Sequence, residues 1–153
     1  MSKTIRIIAL FATSGIVWCC FTRLMFVQSG AQLILADPKY QSSKFLKVFA
    51  EYEPLPRMAN DGSIVWKGFF VCGLLAAVGF LMANLLLKGI WLKRGLAFGL
   101  LHWLLMTPWF EFYLPYNVMN EPMPLVLLES GLWLITVLLL GVYMSFILNF
   151  RSV

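Results

Sequence analysis

Charge is scarce in this chain. Asp, Glu, Lys and Arg make up 12% of its 153 residues, against 61% hydrophobic residues, and the mean hydropathy is +0.83. Soluble domains carry about 25% charged residues. A fold of this length encloses too little interior to hide so much apolar surface, so lipid is its expected solvent. Cysteine is also sparse, and Cys19, Cys20 and Cys72 all lie inside apolar runs. No CxxC stands at a water boundary, which excludes a membrane thiol oxidoreductase and leaves the three as small apolar packers. Histidine occurs once, at position 102, so neither bis-histidine haem ligation within one chain nor a His-rich metal site is open to it. GxSxG, a Gly-rich phosphate loop and HExxH are missing. The formal charge of +5 forms no basic stripe interleaved with aromatics, so no nucleic-acid partner is expected. No catalytic, cofactor-binding or metal-ligating residue is assigned, and an enzyme is the less favoured class.

What the chain does have is long apolar runs. Crossing roughly 30 Å of hydrocarbon takes about 20 helical residues, and the stretches at about 7–27, 64–87, 96–114 and 125–148 qualify. The first resembles a signal peptide, with Lys3 and Arg6 ahead of it and Ser29-Gly30-Ala31 behind. Trp18 and Arg23 interrupt it, and it is long, so it is expected to be a retained span. The fold class expected is an all-α integral membrane protein. One domain over residues 1–153 forms a four-transmembrane-helix antiparallel bundle with a short outer interfacial helix. That extra helix is expected at about 44–53, capped by Ser42 or Ser43. Phe45, Val48, Phe49 and Tyr52 share one face, with Lys44, Lys47 and Glu51 elsewhere. Pro54 and Pro56 end it, and Asn60-Asp61-Gly62-Ser63 supplies turn and cap chemistry for the second span.

Basic residues in short loops set orientation. Lys88, Lys93 and Arg94 lie between the second and third spans, Lys3 and Arg6 at the N-terminus, and Arg151 in the C-terminal tail. The 115–124 connection has no basic residue. Both termini are therefore expected in the cytoplasm, in a bacterial inner (plasma) membrane, although Lys39, Lys44, Lys47 and Arg57 in the first connection weaken that asymmetry. Small residues mark close helix approach: Gly68, Cys72, Ala76, Gly79 and Ala83 in the second span, Gly95 and Gly99 in the third, Gly141 and Ser145 in the fourth. These rows suit packing within the bundle first, and packing on another subunit second.

Ionisable side chains at membrane depth cost roughly 2.5–3.5 kcal/mol at a helix centre, so Arg23, Lys67, His102, Glu111 and Glu129 each need a reason. At about 1.5 Å rise per residue, Arg23 and Glu111 stand roughly 27 and 24 Å above the inner edge. Glu129 and Lys67 stand roughly 6 Å below the outer edge. Arg23, Lys67, Glu111 and Glu129 thus form one candidate polar cluster near the outer surface. Within it Arg23 is expected to pair with Glu111 or Glu129, unless the cations snorkel to headgroups. Asn84 and His102 form a candidate inner pair. Pro108 is expected to kink the third span, and Asn120 to cap the fourth with Glu121 and Pro122 in its first turn. Trp109, Tyr113, Tyr116, Asn117, Asn120 and Glu121 form a candidate outer contact surface, as an interfacial belt or a platform for a partner.

The function expected is a non-catalytic accessory or structural subunit of a larger membrane protein complex, its partners being the bilayer and other membrane subunits. Trp18, Trp103 and Trp133 suit helix contacts on several faces. One alternative is a small transporter or channel using the outer carboxylates with His102 as inner relay. Another is a membrane-embedded lipid-binding protein or enzyme.

Overall fold

The computed structural model describes residues 2–149; Arg151, and with it the C-terminal basic tail, lies outside the described residues. Among the described residues all regular structure is helical, with no strand. Helix α1 (Lys3–Thr22) starts where Ser2 Oγ accepts the Ile5 N–H at 3.3 Å, which satisfies one of the free donors of a helix start. It continues as a π-helical segment, Arg23–Gln28. Gly30, at φ +77°, then turns the chain into α2 (Ala31–Leu35); this left-handed geometry is costly for residues with a Cβ.

Helix α3 (Ser43–Ala50) is the expected amphipathic helix, slightly shorter, with Ser42 as its cap accepting the Phe45 N–H at 3.0 Å. It has no buried residue, and the Phe45 and Phe49 rings meet at a tilt with centroids 4.6 Å apart. After α4 (Arg57–Asn60) come α5 (Ser63–Ala83), α6 (Trp91–Met106), a second π-helical segment (Thr107–Val118) and α7 (Met123–Asn149).

Three helices are long and apolar enough to cross a membrane, at 3–28, 63–83 and 123–149. The stretch expected as a span at 96–114 is not among them. It is α6 plus the first part of the second π-helical segment, and Pro108, Glu111 and Pro115 dilute its apolar character there. Pro108 and Pro115 carry no N–H for a regular helical ladder, and the helix answers by widening to π turns. The span expected to reach Leu87 stops at Ala83, where a tight turn (Leu86 N–H to Ala83 carbonyl, 2.9 Å) exposes Leu85 and Leu86. Asn120 does not cap α7: it sits at φ +56°, and the first turn bonds to the Pro122 carbonyl instead (Val126 N–H at 3.2 Å).

Packing runs α5 to α1, α1 to α7, and α7 to α6. Glycines make two of these contacts close enough for backbones to touch. A Cβ added at Gly95 would meet Val142 Cα at 2.6 Å and the Gly141 carbonyl oxygen at 2.7 Å. One at Gly99 would meet Leu138 Cα at 2.7 Å. Between α1 and α5 the same holds for Gly73, 2.6 Å from the Ser14 carbonyl oxygen and 2.7 Å from Gly15 Cα. The Gly95, Gly99 and Gly141 rows are therefore internal contacts, as expected; the Gly15–Gly73 contact carries no four-residue repeat that would reveal it. Around these seams lie Leu10, Trp18, Ala76, Ala77, Phe80, Phe98, Trp133, Val137, Leu140 and Met144, all buried.

Gly95→Ala or Gly99→Ala should lower stability by about 1–3 kcal/mol through overpacking against backbone. Gly68 and Gly131 have nothing within 4 Å of an added Cβ, so Ala there should be neutral or add up to about 1 kcal/mol. Thermal unfolding of the four variants in detergent checks this. Equal effects in both sets would contradict the packing described.

Candidate functional site

Because α5 packs on α1 and α6 packs on α7, α5 and α6 face each other across a gap, bridged where Phe80 meets Phe98 (centroids 5.1 Å). The gap is a cleft of about 650 Å³. Cys72, Leu75, Ala76, Gly79 and Ala83 line its α5 wall, and Phe98, Leu101, His102, Leu105 and Met106 its α6 wall. Trp18 and Trp133 lie between, with centroids 6.2 Å apart, and Phe110 and Glu111 stand at one end. A volume of this size lies in the range of small-molecule sites, roughly 300–1,000 Å³. Trp18 and Trp133 turn inward, at 2% and 7% exposure; among the described residues the Trp18 indole Nε1 is buried without a hydrogen-bond partner. Trp103 is tied internally as well, donating to the Ser130 carbonyl at 2.9 Å. All three tryptophans thus make contacts between helices of this chain, and Trp18 and Trp133 also line the cleft.

The outer polar cluster divides by sign. Glu111 is buried, with Glu129 and Glu121 as its acidic neighbours. Glu129 is part-buried. Both glutamates also approach the Trp133 indole. Arg23 and Lys67 are exposed, and among the described residues neither forms an ion pair with the carboxyls. The expected Arg23 pairing is thus replaced by outward-pointing cations and inward-pointing acids. Two flexible cationic chains near one end of the bundle extend along the apolar surface to water at little cost, whereas Glu111 is held inward by the π-helical segment that carries it.

The inner pair does not form. Asn84 Oδ1 accepts from Arg94 Nη1 at 3.1 Å, while His102 packs edge-on against Trp18 (5.5 Å) and near Phe98 (5.8 Å). The end of α5 at Ala83 places Asn84 outside the helix, at the level of the α6 start. His102 belongs to the cleft instead.

Of the candidate contact surface, Trp109, Tyr113, Tyr116, Asn117 and Asn120 are exposed. Trp109 and Tyr113 meet edge-on at 5.8 Å, and Phe112 stacks on Tyr116 at 5.5 Å. Glu121 is not part of that surface: it is 3% exposed and accepts from Gln41 Nε2 at 2.7 Å. Gln41, itself buried, also donates to the Leu35 carbonyl at 2.9 Å, and Ser42 Oγ donates to the Met119 carbonyl at 2.6 Å. This knot fastens the first connection to the loop before α7. Nothing in the sequence singles out Gln41, a lone polar residue whose partner lies 80 positions away.

No protein-family model, curated protein or solved structure matches this chain.

Two double-mutant cycles separate these contacts. Arg23→Leu with Glu111→Gln should be additive in thermal stability to within about 0.5 kcal/mol, as for sites that share no partner. Gln41→Ala with Glu121→Ala should couple by roughly 0.5–3 kcal/mol. Coupling in the first cycle would restore the Arg23 ion pair.

Proposed function

We propose that this chain is a non-catalytic subunit of a larger membrane complex, and that the cleft between α5 and α6 receives a transmembrane helix of its partner. The observation that carries this reading is the row Cys72, Ala76, Gly79 and Ala83. It lines the cleft, and a Cβ at Gly79 would meet only the Phe98 ring, at 3.9 Å. Rows of small residues let backbones approach closely in lipid, where packing replaces the hydrophobic effect as the driving force. The other close-approach glycines, at 15, 73, 95, 99 and 141, are already used inside the chain.

Charge adds a second feature of the partner. Glu111 and Glu129 share one end of the molecule with Glu121, and among the described residues their charged neighbours are acidic. A partner helix with a basic residue at that depth would pair them, relieving the cost of buried unpaired charge.

The same proposal places the chain in a bacterial inner membrane as a four-span antiparallel bundle, α6 and its π-helical continuation being the remaining span. Falling residue numbers across the contacts support this course. Arg6 meets Leu148 and Thr13 meets Tyr143 between α1 and α7, while Gly95 meets Gly141 and Trp103 meets Ser130 between α6 and α7. Lys3, Arg6, Lys88, Lys93 and Arg94 share one end, which the positive-inside rule puts in the cytoplasm. Exposed Trp109, Tyr113 and Tyr116 at the other end suit the outer interface, with α3 lying along it.

A second reading rests on the aromatic walls. Trp18, Phe98, Phe110 and Trp133 beside Glu111 also suit a hydrophobic cation, as in a small transporter.

Photo-crosslinking decides between them. A benzophenone amino acid at Leu75 or Leu101, exposed on the cleft walls, should join one protein of defined mass in native membranes. The same probe at Ile8, exposed on α1, should not. Lipid adducts alone at all three positions would reject the subunit reading. Uptake of a hydrophobic cation by proteoliposomes, lost in Glu111→Gln, would establish the transporter.

A further inference from the structure

The opposite end of the molecule holds a second cavity, of about 310 Å³, lined by Lys3, Arg6, Asn84, Arg94, Leu148 and Asn149. It lies where α1 begins, α5 and α7 end, and α6 begins. Arg6 Nη1 donates to the Leu148 carbonyl at 3.1 Å. Arg94 Nη1 donates to Asn84 Oδ1 at 3.1 Å, and Nη2 donates to Asn149 Oδ1. Every acceptor is neutral. The Nε of Arg6 and the Nε of Arg94 are buried with no hydrogen-bond partner among the described residues.

The acids are elsewhere. The chain has seven. Asp37, Glu51, Glu53 and Asp61 lie in the first connection, and Glu111, Glu121 and Glu129 lie at the far end of α6 and α7. None lines this cavity. Among the described residues, three cations thus face a common space with only amides, backbone carbonyls and Leu148 between them. Like charges so placed repel most strongly where water is thin, and an anion among them would turn that repulsion into attraction.

We propose that this cavity binds a phosphate group, held by the guanidinium forks of Arg6 and Arg94 and the ammonium of Lys3. Guanidinium matches phosphate oxygens in pairs, and a lysine supplies a point charge. Two sources share this chemistry: the headgroup of an anionic phospholipid, which basic pockets between membrane helices accept, and free phosphate.

The test uses the full-length protein, delipidated in a neutral maltoside detergent. Its thermal unfolding is followed with phosphatidylglycerol or phosphatidylcholine at equal mole fraction, and with inorganic phosphate against chloride at equal ionic strength. Stabilisation by phosphatidylglycerol over phosphatidylcholine, without a response to phosphate, identifies the lipid headgroup as the ligand; a response to phosphate identifies the free ion. Removing one cation should weaken binding about fivefold. Lys3→Gln is the primary variant, because Lys3 is exposed and its loss leaves the bonds of both arginines intact; Arg6→Gln is the second. Lys88→Gln, at the same end but outside the cavity lining, is the control. Equal behaviour in both lipids with no phosphate response overturns the proposal. So does an equal loss in Lys88→Gln and Lys3→Gln, which would mean diffuse surface charge in place of a site.

Discussion

The contact on which the arrangement of this molecule depends is the backbone seam between α6 and α7, where Gly95 and Gly99 meet Gly141. No side chain can stand between the two helices there. In lipid, where apolar side chains gain nothing by leaving one apolar medium for another, close backbone approach is a main source of helix attraction. The seam binds one face of α7, and α1 takes another. Helix α5 then seats on α1 through Gly15 and Gly73. Once α7 joins α6 and α1 joins α5, the gap between α5 and α6 follows.

That gap explains the distribution of unusual side chains. Large aromatics fill its depth, because α1 and α7 present Trp18 and Trp133 towards it. The widened helix after Met106 carries Glu111 to one end. The cations of the same depth, Arg23 and Lys67, remain on the outside. Sign separation operates on a larger scale too: at one end carboxyls crowd together, and at the other Lys3, Arg6 and Arg94 face a common cavity. Cations and carboxyls are thus kept at opposite ends of the molecule, where buried charge is costly unless something opposite meets it.

The two ends also differ in how their connections are secured. Gln41, Ser42 and Glu121 hold the first connection to the approach of α7 by hydrogen bonds between buried groups. Helix α3, which follows directly, buries nothing. One end of α3 is therefore anchored while its apolar face, with Phe45, Val48 and Phe49, is left for an interface or a neighbour.

Composition and period alone determined the helical class, the apolar stretches that became α1, α5 and α7, a serine cap for α3 at position 42 or 43, and Gly95, Gly99 and Gly141 as positions of close helix approach. Each of these depends on residues near one another in the chain, or on a spacing of four that puts them on one face. The ends were less legible. Asn120 has cap chemistry but takes a left-handed backbone, and Leu87 is apolar but follows a turn set by Ala83 and Leu86. Depth counted along helices put Arg23 and Glu111 in one layer, but not which way each side chain points around its helix. Only the tertiary structure decided that Glu111 faces Glu129, that Asn84 meets Arg94 and leaves His102 to the cleft, and that Gln41 holds Glu121 across 80 residues. A partner is a property of rotation and neighbour order, and those arise from the glycine seams acting together rather than from any single stretch of sequence.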